Sequence, residues 1–227
     1  MRQHTAITFL FFVILASTIG CKTDEPISID PGYDYFPMDI GRYVSYDVDS
    51  IFIDFDASVN DTTYFQVKER IDSLFTDGEG RSAATLKRFY RDDETQPWDL
   101  RDVWTVTRTA TRAEKYEENI RYVRMAFTVL ADKQWDGNAF NAFDEWEYSY
   151  ENIGGSANVG GELYSNTVDV IQRDNANLLR REFGKETYAH DIGMIYRELD
   201  TCNLFIDSQQ IRLGVKMTMT AFDSGVE

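Results

Sequence analysis

The sequence predicts an all-β fold: a single antiparallel domain of roughly nine to eleven strands, curled into a sandwich, barrel or half-barrel, with little helix. Three observations predict it. Segments rich in Val, Ile, Thr, Tyr, Phe and Trp alternate with period two through most of the chain. Short turn signals separate them, leaving no room for βαβ crossovers. Four Pro and 14% aromatic residues argue against disorder.

In residues 42–55, Val44, Tyr46 and Val48 share a face before Ile51, Ile53 and Phe55 take over, a phase slip that reads as a β-bulge. Residues 63–75 set Phe65, Val67, Ile71 and Phe75 against Gln66, Lys68, Arg70 and Asp72. Asp77-Gly78-Glu79-Gly80 is a hairpin turn, and residues 84–91 are the returning strand, of ambiguous facing. Strands follow at 102–109, at 120–130 with Val123, Met125, Phe127 and Val129 together, and at 145–152 with Trp146, Tyr148 and Tyr150 opposite Glu145, Glu147 and Glu151. Residues 168–173 and 178–183 flank the turn Asp174-Asn175-Ala176-Asn177, and 192–199 and 211–222 close the chain. Residues 111–118 carry helix formers between two strands, and residues 186–190 suggest one helical turn.

The N-terminus reads differently. Arg2 precedes an apolar run over residues 6–16 that is too short for a membrane span, which needs about 20 residues. Small residues then lead to Cys21. Together these are the parts of a secretory signal. Ser17-Thr18-Ile19-Gly20-Cys21 resembles the lipobox of bacterial lipoproteins, with Thr18 in place of the usual Leu. The expectation is a signal peptide over residues 1–20, a lipidated tether over 21–34 starting at Cys21, and the β domain over 35–227. The only other cysteine is Cys202, so lipidation of Cys21 excludes an internal disulfide and makes Cys202 a buried or half-buried apolar residue.

Removing residues 1–20 lowers Lys and Arg from 23 to 22 against 39 Asp and Glu, taking the formal charge from −16 to −17. So acidic a domain is repelled by nucleic acid and by anionic lipid heads. The expected membrane contact is therefore the N-terminal lipid.

Two segments carry a family resemblance. Tyr35-Phe36-Pro37-Met38-Asp39-Ile40-Gly41-Arg42-Tyr43-Val44-Ser45-Tyr46 is similar to the opening of uncharacterised Bacteroidota outer-membrane lipoproteins, with Val44 where those often have Trp. Residues 186–198, from Glu186-Thr187-Tyr188-Ala189 to Glu198, are similar to their C-terminal segment, with Asp191 where Gly is frequent. Trp135-Asp136-Gly137-Asn138-Ala139-Phe140-Asn141 also resembles one of their segments, and the acidic residues after Cys21 resemble their surface-export signal. The resemblance implies a secreted β-rich fold at the outer membrane, in either leaflet, and no particular chemistry. Pro37 and Gly41 read as a turn into the first strand, and Gly193 as a bulge or close approach.

Chemistry has little material. His190 is the single histidine after residue 20, and no Gly-x-Ser-x-Gly, Walker A, Rossmann or zinc-ribbon pattern occurs, so no cofactor is expected. Glu145 and Glu147 project from one strand face about 7 Å apart, between the two glycosidase spacings. Asp136, Asn138 and Asp144 supply oxygen ligands for a weak calcium site without the EF-hand spacing. Trp104, Trp135, Trp146 and Tyr148 are the candidate ligand-binding aromatics, core packing being the ordinary use of such residues on strands. The leading reading is a non-catalytic, lipid-anchored envelope protein binding an apolar ligand or glycan. The alternatives are a structural component that holds an envelope protein and, third, a carboxylate-based glycosidase.

Overall fold

The computed structural model describes residues Ile29–Glu227, so the expected signal peptide, Cys21 and residues 22–28 of the expected tether lie outside the described residues. Twelve strands follow a short 3-10 turn at Tyr33–Tyr35: β1 Arg42–Asp54, β2 Val59–Thr76, β3 Ser82–Arg91, β4 Asp99–Arg108, β5 Arg112–Glu117, β6 Ile120–Ala126, β7 Gln134–Asp136, β8 Glu147–Val159, β9 Glu162–Ala176, β10 Arg180–Ala189, β11 Gly193–Leu204 and β12 Ile211–Val226. Each pairs antiparallel with its sequence neighbours except that β6 and β7 do not pair with each other, and β1 also pairs with β12, giving the order β6-β5-β4-β3-β2-β1-β12-β11-β10-β9-β8-β7. The result is an up-and-down barrel, nearly closed. Its seam between β6 and β7 is bridged by Val123 N–H to Gly137 O at 2.9 Å and by Trp135 Nε1 to Val123 O at 3.1 Å, so little open edge remains.

Several expectations change. The strand count is twelve rather than nine to eleven, because β5 and β7 were not foreseen. β5 replaces the helix formers of residues 111–118, since Lys115 and Glu117 reach into the barrel while Glu114 points the other way into an arginine cluster. The helical turn at 186–190 is the end of β10, where Glu186 and Tyr188 both point inward. The bulge expected in β1 at residues 48–51 is absent; the irregularity in its pairing is a bulge in β12, where Phe222 is the extra residue opposite Ser45 and Tyr46. Ile51 and Ile53 are half-buried and Phe55 is exposed at the hairpin tip.

Other readings stand. Cys202 is buried; its thiol donates to Asp200 Oδ1 at 2.8 Å and is pushed up to about 11 by burial and by Asp200. Gly41 adopts φ 86°, where a side chain is strained. Gly193 opens β11 at φ 104°, paired with Ala189, but the bulge falls two residues later, at Ile195, and an added Cβ would meet Pro37 at an ordinary 3.7 Å.

Residues 31–41 cross one end of the barrel as a plug. Pro31 O accepts from Val129 N–H, Tyr33 packs edge-on to Phe127 at 4.8 Å, and Arg108 NH1 donates to the carbonyls of Tyr33 and Phe36. Tyr35 OH donates to Asn166 Oδ1 at 2.7 Å, and Gly41 N–H donates to Ile71 O at 2.8 Å. Residues 31–34, assigned to the tether, thus pack on the barrel. The opposite end carries the exposed hairpin tips of β1–β2, β9–β10 and β11–β12.

The outer wall is charged. Lys68, Arg70, Asp72 and Lys87 lie on neighbouring strands and pair with one another or with Glu227. A membrane-spanning barrel presents an apolar belt there instead. Tyr46, Val48, Val67, Val168 and Val170 fill the inside as a packed core.

Gly137 marks a close approach, because a Cβ there would sit 2.2 Å from the Tyr148 ring. Gly137→Ala is expected to cost about 1–3 kcal/mol by overpacking, read as a lowered urea midpoint; an unchanged midpoint would show that the ring moves freely.

Candidate functional site, the barrel interior

Strand alternation sends charged side chains inward along with the apolar ones. Glu69 lies in phase with Val67 and Ile71 on β2, and Glu186 in phase with Tyr188 on β10. Each meets cations from facing strands. Glu69 accepts from Lys115 Nζ at 2.8 Å and from Arg88 Nε at 2.9 Å. Arg88 also pairs with Asp102 at 3.3 Å. Arg124 joins Glu117 at 2.6 Å to Glu186 at 3.3 Å, Arg197 lies 3.6 Å from Glu186, and Tyr188 OH donates to Glu186 at 2.6 Å. Four cations and four carboxylates form one neutral chain across the interior.

Burial pushes the carboxyls of Glu69, Glu117 and Glu186 up, and the adjacent cations outweigh it. For Glu69 these are Lys115 and Arg88; for Glu117 and Glu186, chiefly Arg124 and Arg197. All three are held below the ordinary glutamate value. They stay ionised, and so have no proton to donate at neutral pH.

Between this network and the plug lies a cavity of about 80 Å³. Phe36, Val44, Ile71, Leu86, Val106 and Met194 make its apolar walls, and Lys115, Arg124, Glu69 and Glu186 its polar floor. Arg124 is only 3% exposed, yet its Nε has no hydrogen-bond partner. A buried donor left unmet is costly and asks for an acceptor.

The predicted aromatics do not form one site. Trp104 is buried on β4 beneath the Arg88 guanidinium at 3.9 Å, with Nε1 donating to Glu118 at 3.2 Å. Trp135 packs on Tyr148 and Tyr150 with ring centroids 5.8 and 4.6 Å away, and Tyr148 is core. Trp146 stands apart, half-buried toward the far end of the barrel under Arg173 at 4.5 Å.

The calcium candidates serve the turn before β8. Asp136 Oδ1 accepts from the backbone N–H of Asn138 and of Trp146 at 2.8 and 3.0 Å, and Asn138 spans to Asp144 O and Asn141 Nδ2 at 2.7 and 3.0 Å. These N–H donors point at oxygens a cation would need. Glu145 and Glu147 are both exposed, Glu147 accepting from Gln134 at 2.9 Å.

His190 has Nδ1 2.9 Å from Asp191 and Nε2 3.4 Å from Asp34. Each ring nitrogen faces its own carboxylate, which ties the plug to the β10–β11 turn.

The interior network was missed in the sequence. Its signal was Glu69 in the apolar phase of residues 65–71, a charge where alternation demands an apolar residue.

No known protein family matches the chain, and no curated protein matches it. Among solved structures, it is similar to a candidate exported protein with a YmcC-like fold from Bacteroides fragilis, at 11% identity and a TM-score of 0.41, covering 83% of this chain and 98% of that one. It is also similar to a candidate lipoprotein from Parabacteroides distasonis, at 8% identity and a TM-score of 0.37, covering 84% and 98%.

Proposed function

We propose that this chain is a non-catalytic outer-membrane lipoprotein, anchored through Cys21, whose plugged barrel holds a small amphipathic ligand in the cavity beneath residues 36–37. The observation that carries the reading is the unmet Arg124 Nε at the floor of an apolar-walled space. Such a space suits an apolar body ending in a hydrogen-bond acceptor such as a carbonyl, ester or hydroxyl oxygen. The network around it is already neutral, so the ligand need carry no charge. Its carboxylates are committed to cations, which favours binding over acid–base catalysis.

The plug supports the placement. The ten residues from Cys21 to Pro31 reach at most about 36 Å, which keeps the plugged end toward the anchoring membrane, the source of amphiphiles.

Native mass spectrometry of the protein extracted from its own envelope is expected to show a reproducible mass beyond the lipid on Cys21. Val106→Phe, which fills the cavity, is expected to lose that mass while keeping its far-ultraviolet dichroism. A bare wild-type protein would overturn the reading. A second reading, docking of an envelope protein, is favoured by one observation: Phe55, Leu178, Leu179 and Ile206 are exposed together at the hairpin tips of the far end. Recovery of a protein partner without a small ligand would favour it.

A further inference from the structure

We infer that the end of the barrel opposite the plug carries a second, separate site, which takes one neutral sugar ring. Trp146, Gln172, Glu182, Gly184, Leu199 and Thr201 surround a pocket of about 70 Å³ there, with Arg173 on its wall. Trp146 shares the inward phase of Tyr148 and Tyr150 on β8. Gln172 is aimed by a bulge: Gly184 pairs with Arg173 and Lys185 with Ile171, so Gln172 is the extra residue in β9. Gly184 lines the pocket without a side chain of its own.

Gln172 supplies the independent observation. It is 5% exposed, and its Nε2 has no hydrogen-bond partner. A buried amide donor bordering a pocket calls for an acceptor from the occupant.

The neighbouring charges set the ligand class. Arg173 donates to Glu182 at 2.6 and 3.1 Å, and Arg180, 55% exposed and not part of the lining, lies 3.5 Å from the other oxygen of Glu182; the charges that line the pocket are thus the matched pair Arg173 and Glu182, which favours neither an anion nor a cation. A purely apolar ligand would leave the Gln172 donor unmet. What remains is a neutral molecule with both C–H faces and hydroxyl groups, which is a sugar ring. Its C–H groups would lie against the Trp146 indole, held by the Arg173 guanidinium 4.5 Å from the ring. Hydroxyls would accept from Gln172 Nε2 and donate to the free oxygen lone pairs of Glu182. By volume the pocket holds roughly five waters, so a pyranose enters edge-on.

The site is distinct from the cavity under the plug and stands whether or not that cavity is filled. Saturation-transfer NMR on the mature chain with glucose, galactose, mannose and N-acetylglucosamine, each to about 20 mM, is the test. At least one sugar is expected to give a saturable signal that is weakened about tenfold or more by Trp146→Phe and by Gln172→Leu. Near-ultraviolet dichroism of the variants separates lost binding from lost fold. No saturable signal from any of the four with the wild type, or unaltered binding in folded variants, would overturn the inference.

Discussion

Glu114→Gln is expected to lower the stability of the domain by about 3–5 kcal/mol, more than any exposed substitution in the chain. Glu114 points outward from β5, opposite in phase to Lys115, and is nevertheless 0% exposed. Three arginines bury it. Arg81 reaches Oε2 at 2.9 Å, Arg121 grips both oxygens at 2.9 Å, Arg112 pairs with Oε1, and Thr107 Oγ1 donates at 3.1 Å. Asp77 and Glu79 hold the outer sides of Arg81 and Arg121, so the cluster is neutral. The Phe140 ring lies over Arg112 and Arg121 at 4.6 and 4.3 Å.

Glutamine keeps the shape but removes the central charge, leaving three guanidinium groups with two carboxylates. The clamp joins the turn after β2, β5, β6 and the loop after β7, so it stabilises the wall next to the seam. For a domain of this size, a loss of that order lowers Tm by roughly 10 °C. Arg212→Ala is the contrasting control, because Arg212 and Asp56 are each 57% exposed at a hairpin tip, where an ion pair contributes less than about 1 kcal/mol. Equal effects from the two variants in urea titrations would sink the argument.

Much of the barrel was legible because the inward-facing residues of most strands are apolar. Val44, Tyr46 and Val48 on β1, and Tyr148 and Tyr150 on β8, alternate cleanly, and their faces were assigned from spacing alone. β5 was not legible, since its sequence Arg-Ala-Glu-Lys-Tyr-Glu has no apolar face. Both of its faces are buried by ion pairs instead, a choice that hydrophobic periodicity cannot register. β7 is three residues long, too short for any period. The plug escaped for a related reason: Pro31 and Tyr33 look like tether residues until the barrel end they cover is in place. Among the tryptophans, sequence could not say that Trp135 packs against Tyr148 and Tyr150 while Trp146 borders a pocket beside Gln172 and Gly184. That difference arises from a bulge in β9 and a glycine in β10, on strands more than twenty residues away.

The interior network and the Glu114 clamp together make the protein acid-labile in a defined sense. Glu69, Glu114, Glu117 and Glu186 are all held below the ordinary glutamate value of 4.5, burial being opposed and outweighed in each by adjacent cations. In the unfolded chain they titrate near that ordinary value. Below it the unfolded state therefore binds more protons than the native state, and stability falls as pH falls. Above it both states are ionised and these groups contribute their full stabilisation. Urea unfolding is thus expected to be insensitive to these groups above about pH 5 and to weaken below it, with a slope approaching about 5 kcal/mol per pH unit if all four titrate together. Arg124→Met sharpens the test. It removes the nearest cation from both Glu117 and Glu186, so burial prevails and their carboxyls rise. The variant is expected to lose stability at neutral pH and to begin its acid transition at higher pH than the wild type. Adding Glu186→Gln to it should recover part of both losses, because one stranded charge is gone. A variant that is destabilised but shares the wild-type acid midpoint would show that Arg124 acts by packing alone, and that the carboxylates owe their ionisation to other groups.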